Sequence, residues 1–376
     1  MKKLLYIAPI SLNNNINNSA DGYSQASDGM LRVFDRMRKE GLIDSFDCKN
    51  VNTYFKLDDD YEYCFLNVNI YSFLNSEKLV EFYKEVKKRC KKLYVSIVWE
   101  TDRIPEAWLK ILNLDIFDGF LCPSKFVMNL LKDIDKPKFL YPHFIDDEIY
   151  SQLDINSKQN EKYFTVLTLG QNTKRKSFRE SIIAFTQALG NKEDCRLIIK
   201  SNTLGNIEDN IDTVIARYGT LNGISKAKIF SIKDKSLSPD EMVDLYKGSS
   251  LMLLCSKAEG FGLALPEAMM IGLPCTYLNW SAWDEDYYNI MTNKTIKYYL
   301  DYQNSMSTYG YPNKSKWAYP IYESMVENLE YFYNEWNKNK IEYYKKSVDF
   351  NRNIIMNKYS YELIKQHVMN IFEGKQ

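Results

Sequence analysis

The chain has 376 residues, 45% of them hydrophobic, with 49 basic side chains against 49 acidic ones. That length suggests about two domains, each with room for its own core. The balanced charge gives no whole-molecule attraction to nucleic acid, and no apolar run approaches the roughly 18 residues of a membrane span. Seven cysteines are scattered without a C-x-x-C pair, the pattern of buried, reduced thiols in a cytoplasmic protein, with no zinc-ligand spacing.

In chain order, MKKLLYIAPISLNNN places two lysines before a short apolar run, as a signal peptide does. The run is too short and lacks a small-residue cleavage site, so residues 3–10 read as a first β-strand. A polar loop follows over 11–23. Residues 24–39 carry Met30, Val33, Phe34 and Met37 on one helical face and stop at Gly41. Strand-like runs recur at 61–69, 93–100, 119–124 and 138–143, separated by helical patterns, which implies a parallel, doubly wound α/β sheet. In the helix expected over 76–92, Leu79, Phe82, Tyr83 and Val86 take the core positions. Lys84, Lys87, Lys88, Lys91 and Lys92 face outward, either as a solvated face or as a contact for an anionic membrane surface or a lipid-linked acceptor. Glu100 and Asp102 leave the carboxyl end of a strand, where open sheets bind ligands. They are candidates for acceptor hydroxyls, with an Asp102–Arg103 loop staple as the alternative. His143 reads as a buried or hinge-packing residue. After Asp146 the polar stretch DEIYSQLDINSKQNEK reads as a linker.

A second α/β set begins with a strand at 163–170. Arg175 and Lys176 lie between that strand and a helix marked by Phe178, Ile182, Phe185 and Leu189. Cations just before a helix N-terminus oppose the helix dipole, so they suit an anionic ligand better than they suit the helix. Strands follow at 195–202, with Lys200 near its end, and at 228–233, with a helix over 207–218 between them. Ser238-Pro239-Asp240-Glu241 has the form of a capping box. Residues 250–274 read as a buried strand, a turn containing Glu259, Gly260 and Gly262, and a helix with Pro266 and Glu267 in its first turn and Gly272 and Pro274 as its stop. The backbone N–H groups of Phe261, Gly262 and Leu263 would cradle an anion. A phosphate there would sit between two carboxylates, so Glu259 and Glu267 are expected to face hydroxyls, an arrangement that a nucleotide sugar offers. Residues 303–320, rich in Tyr, Gly and Pro, read as surface packing or a lid, and helical sequence follows from 321.

The segment EGFGLALPE resembles the E-x7-E signature of the retaining family 4 glycosyltransferases of GT-B fold. The resemblance implies two facing Rossmann-like domains with the active site in the cleft between them. These would be an acceptor-binding domain over 1–148, a nucleotide-sugar-binding domain over 160–340, and C-terminal helices over 341–376 that return to the first. It implies that Glu259 contacts the donor sugar, Glu267 the ribose, and Arg175 and Lys176 the diphosphate. Ser281 and Ala282 resemble the small residues beside the donor. Gly22 and Tyr23 fall where relatives carry paired glycines bordering the acceptor, and Gln171 stands where many relatives have arginine. The expected reaction moves a sugar from a nucleoside-diphosphate donor to a glycan, lipid-linked or protein acceptor with retained configuration. No cofactor or metal is expected, because no D-x-D falls at a strand end: Asp58-Asp59-Asp60 lies in a polar loop and Asp284-x-Asp286 in an irregular segment. The expected location is cytoplasmic or peripheral at the inner face of the cell membrane. A GT-B epimerase or phosphorylase, or a non-catalytic subunit that binds a glycosylated partner, are the alternatives.

Overall fold

The computed structural model describes residues 2–9, 22–74, 76–203, 210–220, 226–284, 287, 291–303 and 314–375. Most of the expected acceptor loop (11–21), the start of the helix expected at 207, Asp286 and most of the expected lid (304–313) lie outside the described residues. The chain forms two compact units, one of residues 1–146, 309–315 and 359–376, the other of 147–308 and 316–358. Of the segment 341–376, residues up to 358 therefore belong with the second unit and the remainder with the first.

The first unit is built on β1 (Lys3–Ala8), β2 (Ser45–Asn50), β3 (Tyr61–Leu66), β4 (Cys90–Ser96), β5 (Gly119–Cys122) and β6 (Lys138–Leu140). They form one sheet in the order β2-β1-β3-β4-β5-β6, and every pairing is parallel. Helices α1 (Gly22–Lys39), α2 (Tyr71–Leu74), α3 (Glu77–Lys88), α4 (Glu106–Leu112), α5 (Lys125–Leu130) and the terminal α12 (Tyr361–Glu373) complete it. Successive strand residues point to opposite faces, so an all-apolar strand needs a cover on both. Leu4, Tyr6 and Ala8 of β1 pack with Met30, Val33, Phe34 and Met37 of α1 and with Ile364, Val368 and Ile371 of α12. Leu5 and Ile7 face the other way, into a cluster with Leu66, Val95 and Trp108. Strand β2, unmarked in the sequence, is half-buried along its whole length. An edge strand of that kind needs no apolar run.

The helix expected over 76–92 ends at Lys88, because β4 starts pairing with β3 at Cys90. Lys91 and Lys92 are thus strand residues. All five lysines lie beside carboxylates: Lys84 with Glu81 at 2.6 Å, Lys87 with Asp118 at 2.5 Å, Lys88 with Glu85 at 2.6 Å, Lys91 with Glu62 at 3.0 Å and Lys92 with Asp118 at 3.6 Å. The face is one of mixed charge. Asp146 is buried against α1, 2.7 Å from Arg32 and 3.6 Å from Arg36. Burial pushes the His143 imidazole down to about 4, so the ring is neutral at pH 7. Among the described residues no helix is long and apolar enough to cross a membrane.

The second unit has β7 (Phe164–Gln171), β8 (Cys195–Asn202), β9 (Lys228–Lys233), β10 (Leu251–Leu254), β11 (Cys275–Leu278) and β12 (Asn293–Ile296), with an antiparallel hairpin of β13 (Tyr298–Tyr302) and β14 (Lys316–Pro320). Its main sheet is parallel, in the order β12-β11-β10-β7-β8-β9. The helices are α6 (Phe178–Leu189), α7 (Ile211–Tyr218), α8 (Pro239–Lys247), α9 (Ala264–Ile271), α10 (Tyr322–Lys338) and α11 (Lys340–Tyr359). The capping box of α8 is complete: Glu241 N–H donates to Ser238 Oγ at 3.1 Å, and Ser238 N–H donates to Glu241 Oε2 at 2.8 Å. Helix α9 starts at Ala264, which places Pro266 in its first turn, as expected. The proline is tolerated at the third helical position because N–H groups of the first turn have no intrahelical acceptor. Gly272 closes the helix at φ 95°, where a Cβ would lie 2.5 Å from Val348.

Candidate functional site

In the second unit, β7 lies between β8 and β10, so the chain winds to one side of β7 through β9 and to the other side from β10 onward. Ligands of open α/β sheets bind beyond the carboxyl ends of the strands at such a reversal. The loops that leave β7 and β10 there are 172–177 and 255–263, the two that carry Arg175, Lys176 and Glu259.

These side chains meet. Arg175 Nη1 is 2.9 Å from Glu259 Oε2 and also donates to the Ala258 carbonyl at 2.6 Å. Lys176 Nζ and Ser256 Oγ both donate to Glu259 Oε1. Lys176 reaches across Gly170, whose φ is 149° and where a Cβ would stand 3.0 Å from Lys176 Cδ. The Lys257 N–H donates to the Arg175 carbonyl at 2.7 Å and locks the two loops together. Glu259 itself is fixed by its backbone: its N–H donates to Ser281 Oγ at 2.8 Å, and its carbonyl accepts from Ala282 N–H at 3.1 Å. Ser281 adopts φ 60°, a left-handed conformation costing a non-glycine residue about 1–2 kcal/mol, which this hydrogen bond helps to offset. Gly262 is required sterically. Its φ is 75°, and a Cβ there would fall 2.4 Å from Trp283 Nε1, the group that donates to the Gly262 carbonyl at 3.2 Å.

Burial alone would raise the pKa of Glu259. The charges of Arg175 and Lys176, with hydrogen bonds from Lys176 and Ser256, outweigh it and hold the carboxyl down at about 2. Both cations bear on this one carboxylate in a mostly buried cluster. An anion reaching it would meet preorganised donors together with the first-turn N–H groups of α9.

Glu267 is placed differently. Both of its oxygens accept from phenols, Oε1 from Tyr150 at 2.7 Å and Oε2 from Tyr246 at 2.8 Å. Burial raises its pKa, and the two phenols oppose that shift. Lys200 is buried near the end of β8 and donates to Asn202 Oδ1 at 2.5 Å; burial lowers its pKa. The acceptor candidates all lie in the first unit. Gly22 is exposed at the start of α1, and Tyr23 is half-buried with its carbonyl accepting from Ser27 Oγ at 2.7 Å. Glu100 and Asp102 are half-buried in the loop after β4. Trp99 pins that loop, its Nε1 donating to Thr101 Oγ1 at 2.9 Å and to the Arg103 carbonyl at 2.6 Å. Asp59 and Asp60 of the acidic run pair with Lys3 and Arg89 at 2.6 and 3.1 Å. Sequence reasoning missed Ser256, Trp283, Tyr150 and Tyr246; only Ser256, three residues before Glu259, stood within the segment already singled out.

Residues 151–281 match the family model described as "Glycosyl transferases group 1". The matched segment ends at Ser281, so it contains both loops of the cluster and α9 but not the first unit. Among solved structures, the chain is similar to a glycosyltransferase from Rickettsia africae, with a TM-score of 0.64 and 13% identity over 99% of this chain and 98% of that one. It is also similar to Anabaena HepE in complex with UDP and glucose, with a TM-score of 0.60 and 12% identity over 99% and 100% of the two chains. A third likeness is to TarM, with a TM-score of 0.57 and 15% identity over 82% of this chain, which spans 54% of TarM. Two parallel six-stranded sheets with flanking helices, together with these likenesses, make the fold GT-B. A search of curated protein sequences finds no match.

Proposed function

We propose that this chain is a retaining glycosyltransferase, of hexosyltransferase type, that moves a sugar from a nucleoside-diphosphate donor to an acceptor hydroxyl. The observation that carries the reading is the Arg175–Lys176–Glu259 cluster at the sheet reversal, inside the segment that matches the glycosyltransferase family model. Solved structures of the same fold that contain UDP with glucose or with GlcNAc support the donor class.

Transfer breaks the bond between the anomeric carbon and the β-phosphate oxygen and forms one to the acceptor oxygen. Charge then builds on the departing diphosphate. Arg175, Lys176 and the N–H groups of Phe261, Gly262 and Leu263 stabilise that charge, the part a divalent cation plays in other transferases. Turnover is therefore metal-independent in this reading. The acceptor's proton passes to the leaving phosphate. Glu259, held ionised, turns toward donor-sugar hydroxyls and does not form a covalent intermediate, while Glu267 and Lys200 serve the nucleoside side. Gly22, Tyr23, Glu100 and Asp102 meet a glycan, lipid-linked or protein acceptor, and the reaction takes place in the cytoplasm, in solution or at the inner face of the membrane.

A thermal-shift screen of UDP, GDP, ADP and their sugars tests the donor assignment. One nucleotide class should raise the melting temperature, as mass action requires of any ligand bound only by the folded state. The positive donor should then release its nucleoside diphosphate in excess chelator. Sugar interconversion without acceptor would indicate an epimerase instead, and no response to any nucleotide would overturn the proposal.

A further inference from the structure

We infer that Tyr150 occupies the position of a donor ribose hydroxyl on Glu267, so that the nucleotide binds by displacing this phenol. The inference rests on the donor reading above and adds to it a residue that sets affinity for the ribose.

The two phenols on Glu267 are not equivalent. Tyr246 projects from α8, is fully buried, and donates to Oε2. Tyr150 belongs to the irregular segment before β7, is half-buried, and donates to Oε1. Its segment is tied down by its backbone: Arg352 Nη1 donates to the Tyr150 carbonyl at 3.1 Å and to the Met270 carbonyl at 2.8 Å, and the Leu153 N–H donates to the Ile271 carbonyl at 3.0 Å. The side chain can therefore turn away while the chain stays in place. Each carboxylate oxygen can accept a second hydrogen bond, but Glu267 is buried, so a ribose diol gains its closest approach where a phenol now stands. Half-buried Tyr150 gives way more readily than fully buried Tyr246. Tyr246 remains as the fixed partner that orients Glu267. Because an O–H donor is exchanged for an O–H donor, Glu267 stays satisfied in both states, and the hydrogen bond of the free enzyme subtracts directly from nucleotide affinity.

The test is calorimetric titration of the full chain with UDP, or with GDP or ADP if the screen selects that base, and with the 2′,3′-dideoxy counterpart. Tyr150→Phe keeps the ring and removes the competing donor. It should tighten binding of the ribonucleotide about tenfold, equivalent to about 1.4 kcal/mol, and leave the dideoxynucleotide unchanged. In turnover the same variant should lower KM with kcat unaltered. A residue with only a packing role would leave affinity unchanged or weaken both nucleotides alike. Tyr246→Phe should not tighten binding. Equal ribonucleotide affinity for wild type and Tyr150→Phe, or equal tightening by Tyr246→Phe, would overturn the inference and leave the donor reading standing. Absence of nucleotide binding by the wild type would overturn both.

Discussion

Replacing Glu259 by glutamine keeps the shape of the side chain and removes its charge. Arg175 and Lys176, whose side chains are 13% and 16% exposed, then lose the carboxylate that compensates them. The carboxyl sits at about 2 in the folded protein against 4.5 in its unperturbed state; at 1.36 kcal/mol per pKa unit this corresponds to about 3 kcal/mol of stability at neutral pH. The cost of breaking a buried ion pair, roughly 3–5 kcal/mol, agrees. The folded pKa is depressed, so the stabilisation is fully present above pH 4.5 and fades as pH falls toward 2. At pH 3.5 about 1.4 kcal/mol of it should already be gone. Urea unfolding of the full chain and of Glu259→Gln, followed from pH 7 to pH 3.5, measures the difference directly. The variant should be less stable at pH 7 by about 3 kcal/mol, and the gap should shrink on acidification. A gap that stays constant with pH, or a variant as stable as wild type, would refute the account of this cluster.

Lys176→Met removes one of the two cations but keeps the stem that lies over Gly170. It should weaken binding of the nucleoside diphosphate by about tenfold or more, the scale of a lost charge-assisted hydrogen bond, as titration would show. Gly262→Ala meets both a positive φ and the Trp283 ring. It should lower stability by more than ~1 kcal/mol and abolish the thermal response to nucleotide, and a normal melt with normal response would contradict the geometry. Ser238→Ala breaks the α8 capping box and should cost about 1 kcal/mol in urea unfolding with nucleotide affinity intact. Phe34→Ala empties a fully buried position under β1 in the first unit and should cost roughly 3–5 kcal/mol.

Local sequence determined a good deal here. The runs at 195–202 and 228–233 are strands with those bounds, Gly41 and Gly272 take the left-handed conformations that end their helices, and the capping box at Ser238 forms as written. Such features depend on period, propensity and single-residue sterics, all of which act within a few positions. Strands β2, β12 and β13 left no comparable trace, because what holds each of them is pairing with a distant partner. The same limit applies to the candidate site. Arg175, Lys176 and Glu259 were visible as charged residues at strand ends, but that 83 positions of chain close into a buried ion cluster follows only from β7 and β10 lying side by side. The phenols of Tyr150 and Tyr246, 117 and 21 positions from Glu267, are likewise brought to its carboxylate by packing, since a hydrogen bond has no reach along the sequence and every reach across a fold.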